Sequence, residues 1–259
     1  MAHWLVGQGF DRVSILEGGV AAWRAAGFEV ERLRREARAV VERTSAPLTV
    51  AEGAASFLPS LAERYLRDGG LPTRRRLVTL FVDIAGSTRL LVHTTPEIVL
   101  GVVQRFMRLV TEVALAYCGD VKDFEGDGAL LYFESVAEAT QAALAIRPAL
   151  AGGACEATTP VEARMSLTVG DVVLGVIGST MRQAITLVGP SVSMGARFLK
   201  HIPPSGIIAS GEVVEALRAE APALAEEFRL LDPAFEVPGM AGITVATYVS
   251  APPTRASAP

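Results

Sequence analysis

The chain has 259 residues, of which half are hydrophobic and a fifth are charged, so it is long enough to bury a sizeable core. Its formal charge of −4 at pH 7 excludes a general basic field for binding nucleic acid. The local run Arg74-Arg75-Arg76 is too short to change that conclusion.

Membrane and secretory signals are missing from the sequence. No span approaches the roughly 20 uninterrupted apolar residues of a membrane helix. The N-terminus also has neither the charged nor the apolar region of a signal peptide. The two cysteines, Cys118 and Cys155, have no metal-type spacing and no pairing signature. We expect a cytoplasmic protein with free thiols, which binds neither nucleic acid nor a membrane.

The first thirty residues predict a short helix end, a strand at Val13–Leu16, a turn at Gly18-Gly19 and a helix. They resemble the C-terminal end of a rhodanese (sulfurtransferase) domain, whose last strand leads into a similar helix. Rhodanese chemistry needs a cysteine in an anion-cradling loop, and this stretch has none. We therefore interpret residues 1–30 as a non-catalytic remnant or as the end of a domain that starts upstream. A phosphate loop at Gly18-Gly19 is the weaker alternative.

Residues 31–73 are predicted to link this fragment to a larger domain. Their first part is rich in Glu and Arg at helical spacing, including the i,i+4 pair Glu31–Arg35. Their second part contains three prolines and the pair Gly69-Gly70, which predict turns and short helices. No sustained heptad pattern supports a dimerisation stalk.

From Leu77 onward the periodicity indicates alternating strands and helices. LVTLFV is a buried-strand run, and Glu97 to Tyr117 carries an apolar stripe at helical spacing. Asp120–Glu125 and Ala129–Phe133 predict a hairpin closed at Gly126-Asp127-Gly128. A helix is predicted from Ser135 to Leu150, with Ser135 as N-cap and Glu138 as its capping-box partner.

The remaining elements complete an α+β sheet domain with helices packed on it, spanning residues 74–250, and residues 251–259 are predicted to be a flexible tail. These elements are a pair of strands at Ala163–Val169 and Val172–Ile177, a helix at Gly189–Lys200, a strand at Ile207–Ala209, a helix at Gly211–Ala219, and strands at Phe228–Leu231 and Thr244–Val249.

Two aspartates, Asp83 and Asp127, follow or join strand-like runs beside small, glycine-containing loops. Carboxylates at strand ends near exposed backbone amides suit Mg²⁺ that carries a polyphosphate. Taken together they predict a two-metal site, in which one ion activates an attacking oxygen and the other holds phosphates. The alternative is that both aspartates are ordinary turn formers.

Four ordered blocks resemble the catalytic domain of the class III nucleotidyl (adenylyl/guanylyl) cyclases. The blocks are LFVDIAGST, EGDGALLYF, GDVVLGVIGSTMRQAITLVGPSVSMGARFL and SGIIAS, and they extend over about Leu77 to Val249. The resemblance implies a ferredoxin-like (βααββαβ) sheet preceded by a short N-terminal helical extension. It also implies a head-to-tail homodimer, in which each active site is built from both chains.

The resemblance assigns roles to individual residues. Asp83 and Asp127 match the metal-binding aspartates, and the Ile84 carbonyl is an additional ligand, so that two Mg²⁺ or Mn²⁺ ions are implied. Arg197 matches the arginine that stabilises charge on the transferring phosphoryl group, a role that suits an always-charged planar fork. The implied substrate is a nucleoside triphosphate. By the residues alone, Arg197 could instead be a surface residue whose stem lies on the core.

Three positions depart from the adenylyl cyclase pattern. Asp123 stands where adenylyl cyclases carry a base-reading lysine, and it is closer to the guanylyl type. Lys122 is adjacent, but strand alternation turns it away unless a bulge re-aims it. The second base-reading position falls on Thr186. Ser193 occupies the place of an asparagine that orients the ribose, and it is shorter.

These observations predict an enzyme that forms a 3′,5′-cyclic mononucleotide and pyrophosphate for signalling, with the nucleobase left open. The alternative is a degenerate cyclase-like regulatory module, which binds nucleotide or a partner with little turnover. Asp123 and Glu125 could also be solvated strand residues with no part in the site.

Overall fold

The computed structural model describes Tyr65 and residues 70–151, 161–179 and 181–251. The rhodanese-like fragment 1–30, most of the linker 31–73, Cys155 and the tail beyond residue 251 lie outside the described residues. The boundaries that the sequence predicts for those segments therefore stay predictions.

The described elements begin with the predicted βααββαβ order, which is confirmed, and then continue with further strands and helices. They are β1 (Thr73–Ile84), α1 (Ser87–His93), α2 (Pro96–Ala116), β2 (Asp120–Glu125), β3 (Gly128–Phe133), α3 (Val136–Ala151), β4 (Ala163–Ser179), β5 (Arg182–Val188), α4 (Pro190–Phe198), a 3₁₀ turn (Leu199–His201), β6 (Ile207–Ser210), α5 (Gly211–Glu220), α6 (Pro222–Ala225), β7 (Arg229–Glu236) and β8 (Thr244–Ser250). None of these helices is long and apolar enough to cross a membrane.

The strands form one eight-stranded sheet in the order β2-β3-β1-β4-β6-β8-β7, and β5 pairs only with β4. Strand β1 lies between its antiparallel partners β3 and β4. Strand β4 also pairs in parallel with β6. The α+β class that the alternating pattern predicts is therefore confirmed.

Successive side chains of β1 point to opposite faces of the sheet, as the two-residue period of a strand requires. Val78, Leu80 and Val82 belong to the main core under the helices. Helix α2 buries one apolar stripe there, because residues three and four apart share a helix face. The buried residues of that stripe are Val99, Val102, Phe106, Met107, Val110 and Ala114.

Helix α4 covers the opposite face of the sheet and is fastened to β4 by two buried hydrogen bonds. Ser166 Oγ donates to the Gly195 carbonyl at 2.7 Å, and Thr168 Oγ1 donates to the Ser191 carbonyl at 2.8 Å. Gly195 lets the helix approach closely, since a Cβ there would lie 2.8 Å from the ring of Phe81. The helix is thus held at a fixed height above β1 and β4.

Strand β4 corrects one prediction. The sequence pattern predicts two strands, at Ala163–Val169 and Val172–Ile177, but a single strand runs from Ala163 to Ser179. Pairing with β1 holds it continuous, and Gly170, which lies between the two predicted strands, is opposite Leu77. Glycine is needed there for packing, because a Cβ would lie 3.0 Å from the Ser191 side chain on α4.

The real hairpin partner of β4 is β5, which the sequence analysis did not predict as a strand. It pairs with the second half of β4 from Val173↔Val188 to Ser179↔Arg182. The predicted N-cap of α3 is confirmed, because the amide of Glu138 donates to Ser135 Oγ at 3.3 Å.

Candidate active site

The two predicted metal-binding aspartates lie together at one end of β1. Asp83 is the penultimate residue of that strand and pairs with Gly128, the first residue of β3. Asp127 lies in the turn just before Gly128, and its carbonyl accepts a hydrogen bond from the amide of Ile84 at 3.3 Å. The structure thus brings Asp83, Ile84 and Asp127 into one group.

The electrostatics of this pair show negative charge that is only partly compensated. Burial raises the pKa of the Asp83 carboxyl above its ordinary value, and the nearby Asp127 charge raises it further. A hydrogen bond that protonated Asp83 makes with Asp127 acts in the same direction, whereas Arg164 lowers the pKa in part. A site with this charge balance favours a cation.

Arg164 is a site residue that the sequence analysis missed. Its Nη2 donates to Asp83 Oδ2 at 2.8 Å, with both side chains largely covered. The contact follows from register, because Arg164 on β4 lies directly opposite Asp83 on β1. A charged residue between Ala163 and Met165, inside an apolar strand run, is the sequence signal that could have drawn attention to it.

A cavity of about 290 Å³ opens beside Asp83 on the α4 side of the sheet, and Asp127 lies just outside its lining, next to Gly128. It is lined by Phe81, Val82, Asp83, Glu125, Gly128, Ala129, Leu130, Arg164, Ala196, Leu199 and Lys200. Its charged members are two acids and two bases, so its walls offer both cation-binding and anion-binding groups. Glu125, one of the acids, lies at the rim of the cavity with its side chain exposed to solvent.

The β2–β3 hairpin contains a bulge at the predicted base-reading position. Val121 pairs with Leu131 and Asp123 with Leu130, so Lys122 is an extra residue on β2. This bulge is the feature that can turn the Lys122 side chain to the same side of the strand as Asp123. Lys122 Nζ donates to Asp123 Oδ2 at 2.9 Å, and the lysine side chain is only 12% exposed against 50% for the aspartate.

Ser193 and Arg197 lie one turn apart on α4, and the arginine is held by two backbone carbonyls. Its Nε donates to the Pro238 carbonyl and its Nη1 to the Ser193 carbonyl, both at 2.6 Å. Among the described residues, neither of the two lines the cavity at Asp83, although their neighbour Ala196 does. Within one chain they thus lie outside the lining of that cavity.

Thr186, the second predicted base-reading residue, lies on β5 opposite Gly175 of β4. This hairpin extends beyond the part of β4 that β1 covers, since the β1 pairing ends at Leu174. Within one chain, therefore, Thr186 also lies outside the lining of the Asp83 cavity.

Comparison with solved structures identifies the architecture. The adenylyl cyclase CyaB from P. aeruginosa superposes with a TM-score of 0.60 at 22% identity, over 71% of this chain and 97% of that one. The guanylate cyclase domain of RhGC from Catenaria anguillulae, in complex with GTP, gives 0.59 at 20% identity, over 68% and 97%. This chain has the nucleotidyl cyclase fold.

The sequence relatives are uncharacterized proteins, so they assign no activity to this chain. An uncharacterized protein of Mycobacterium tuberculosis, Rv1319c, is 30% identical over 147 residues, which are 55% of this chain and 28% of that protein. Another, Rv1318c, is 29% identical over 151 residues, or 56% and 28%. The chain thus spans about a quarter of the length of these relatives. No protein-family model matches it.

The carboxylates of Asp83 and Asp127, at the end of β1, suit a divalent ion that also binds a substrate. The described residues contain no cluster of three or more His, Cys, Asp or Glu side chains that could enclose a metal alone. Mg²⁺ in nucleotide sites typically uses one or two carboxylates and takes its remaining ligands from phosphates and water. Asp83 and Asp127, with the raised pKa of Asp83, fit that requirement.

Proposed function

We propose that this domain is a nucleotidyl cyclase, which converts a nucleoside triphosphate into a 3′,5′-cyclic mononucleotide and pyrophosphate. The observation that carries the proposal is the Asp83–Asp127 pair, incompletely compensated in charge and located at the end of β1 in a cyclase fold. In such a reaction the ribose 3′-oxygen attacks the α-phosphate and pyrophosphate leaves.

Two Mg²⁺ or Mn²⁺ ions would be held by the carboxylates of Asp83 and Asp127 and by the Ile84 carbonyl. Such ions lower the pKa of the attacking hydroxyl and neutralise charge on the phosphates. Arg164 would then interact with the substrate phosphates, because its present partner, Asp83, would be engaged by a cation. Because Asp83 is partly buried, these charge interactions would take place where water is partly excluded, and they would be stronger there than in bulk water.

A second copy of the chain would complete each site. Ser193 and Arg197 do not reach the Asp83 cavity within their own chain, so in this proposal they serve the cavity of the partner subunit. The β4–β5 hairpin exposes apolar side chains that a second copy would cover. They are Val176, Ile177, Met181 and Val188. Exposed apolar side chains that cluster on one hairpin are typical of protein interfaces.

The base would be recognised by the β2 bulge together with Thr186. Lys122 and Asp123 lie side by side, so this edge offers both a hydrogen-bond donor and an acceptor. A guanine edge would use the acceptor and an adenine ring nitrogen the donor. Both purines are therefore candidate substrates, and a pyrimidine would not reach the bulge as fully.

The test is incubation of the purified protein with Mn²⁺ and each of the four nucleoside triphosphates, with cyclic products measured by chromatography. We expect a cyclic purine mononucleotide from the wild type. Asp83→Ala should lower turnover by at least about 100-fold, because it removes a metal ligand. A dimeric wild-type protein that forms no cyclic product from any of the four would refute the proposal.

The second candidate function is a regulatory module that binds nucleotide without turning it over. It is favoured by Arg197, whose fork is already engaged by two backbone carbonyls, and by the short side chain of Ser193. Saturable nucleotide binding with no product, retained in Arg197→Ala, would support this function. Turnover that disappears in Asp83→Ala would exclude it.

A further inference from the structure

Tyr65 is a buried aromatic residue on the chain that leads into the domain, eight residues before β1. Only 4% of its surface is exposed. Its hydroxyl donates to Glu134 Oε1 at 2.6 Å, just past the end of β3. Its carbonyl accepts from the amide of Gly70 at 3.1 Å, and the guanidinium of Arg75 lies 5.1 Å from its ring centre. The residue is thus fixed by its backbone, its ring and its hydroxyl.

The ring of Tyr65 belongs to a second core on the α4 side of the sheet. The buried members of this second core are Tyr65, Leu77, Tyr132, Val172, Leu174 and Leu187. Val172 and Leu174 come from β4 and Leu187 from β5, at the base of the exposed hairpin. Tyr65 is the member that precedes β1 along the chain, so the second core joins this residue to the base of the hairpin.

Helix α4 connects the second core to the candidate active site. Val192, in its first turn, packs against the second core, and Ile185 of β5 does the same. At the other end of the helix, Ala196 and Leu199 line the cavity beside Asp83. A nine-residue helix spans roughly 13 Å as a rigid element, so a shift at one end is carried to the other.

We propose that Tyr65 is a positioning residue, which fixes the base of the β4–β5 hairpin and the first turn of α4, and thereby the placement of Ser193 and Arg197. The inference rests on the proposed function, in which Ser193 and Arg197 act on the substrate bound by the partner subunit. Its physical basis is that close-packed cores transmit displacements of a side chain to the elements around it.

The experiment compares Tyr65→Phe, which loses only the hydroxyl, with Glu134→Ala and Glu134→Gln in the full chain. We expect Tyr65→Phe and Glu134→Ala each to lower kcat by roughly five- to tenfold, the effect of one lost hydrogen bond at a positioned group. KM should change less than about twofold, because Arg197 acts on charge that develops in the transition state. Glu134→Gln keeps an acceptor oxygen and should restore most of the activity.

The double variant Tyr65→Phe/Glu134→Ala should be no slower than either single variant, since both remove the same bond. Arg147→Gln is the matched control. It removes hydrogen bonds from α3 to the Ser250 and Ala251 carbonyls, at a distance from the second core. It should lower the unfolding temperature and leave kcat unchanged at 25 °C.

Amide hydrogen exchange gives a readout that does not depend on activity. In Tyr65→Phe, exchange should be faster in β5 and in the first turn of α4, and unchanged in β7. If the wild type makes no product, the proposed function fails, and exchange alone decides: faster exchange in α4 supports the positioning role. Unchanged exchange in α4, or a kcat equal to that of the wild type, would overturn it.

Discussion

Asp83 is the residue at which stability and proposed function conflict. Its carboxyl lies in a partly buried position beside a second carboxylate, and a single arginine compensates it only in part. Such a group is costly in the folded protein unless a cation binds. Strained electrostatics of this kind are typical of functional sites, because the same charge that destabilises the empty site binds the ligand.

The pH dependence of stability follows from the raised pKa of Asp83. The pKa of this carboxyl is higher in the folded protein than its ordinary value of 3.8. Its protonation therefore stabilises the folded state, and this stabilisation is complete when the pH is below 3.8. The stabilisation is lost as the pH rises through the pKa that Asp83 has in the folded protein. In EDTA, the unfolding free energy of the wild type minus that of Asp83→Asn should therefore fall as the pH rises from 4 to 7.

Urea unfolding at several pH values measures this difference directly, and the titration of groups that do not interact with Asp83 cancels between the two proteins. A difference that stays constant, or that grows with rising pH, would show that Asp83 is not destabilised by burial and by Asp127. Adding Mn²⁺ should stabilise the wild type and not the variant, since the ion binds the folded state.

Helix α4 is the element on which the site depends most, because it lies between the second core and the cavity. Its height above the sheet is set by the absence of a side chain at Gly195. In the described part of the chain, the hydrogen bonds from Ser166 and Thr168 to its carbonyls hold it at that height.

Two glycine-to-alanine variants test this packing. A Cβ at Gly195 would lie 2.8 Å from the Phe81 ring and 3.2 Å from Thr168 Oγ1, so Gly195→Ala should destabilise the domain by roughly 1–2 kcal/mol. Gly101, on α2, has room, since a Cβ would meet only Arg105 Nη1 at 3.5 Å. Gly101→Ala should stabilise by up to about 1 kcal/mol. Thermal unfolding of both variants measures the two effects. Equal shifts in the unfolding temperature would show that α4 does not need a glycine at position 195 for its close approach to the sheet.

Local chemistry made some elements predictable from the sequence, while long-range pairing decided others. The Gly126-Asp127-Gly128 turn and the Ser135 cap were predictable because their signals are a few residues long. Arg164 was not, since its contact with Asp83 depends on strand register across 81 positions. The same applies to β4, where pairing with β1 continues through Gly170 and Asp171, the gap between the two predicted strands. The bulge at Lys122 left no local sequence signal.

At the scale of the whole molecule, the proposed site is complete only in a dimer, and the β4–β5 hairpin is the surface that we expect to form it. Ile177 is 56% exposed on that hairpin, and Leu231 is 49% exposed on β7 at the far edge of the sheet. Ile177→Asp should weaken the dimer and lower activity in parallel, because it buries an unpaired charge.

Leu231→Asp is the matched control, with the same chemical change on a surface outside the hairpin. It should leave both the dimer and the activity intact. Sedimentation velocity over a range of protein concentrations measures the dimer, and product formation is followed on the same samples. Loss of the dimer in Leu231→Asp, or its full retention in Ile177→Asp, would contradict the assignment of the interface.

In the proposed dimer, Asp83 of one chain and Arg197 of the other serve the same active site, and subunit complementation can detect this sharing. Asp83→Ala and Arg197→Ala should each be inactive alone. After equal amounts are mixed and subunits exchange, half of the dimers are mixed, and each of these has one intact site of two. We therefore expect the mixture to recover about a quarter of the wild-type activity. A mixture as inactive as its two components, with mixed dimers demonstrated, would contradict it.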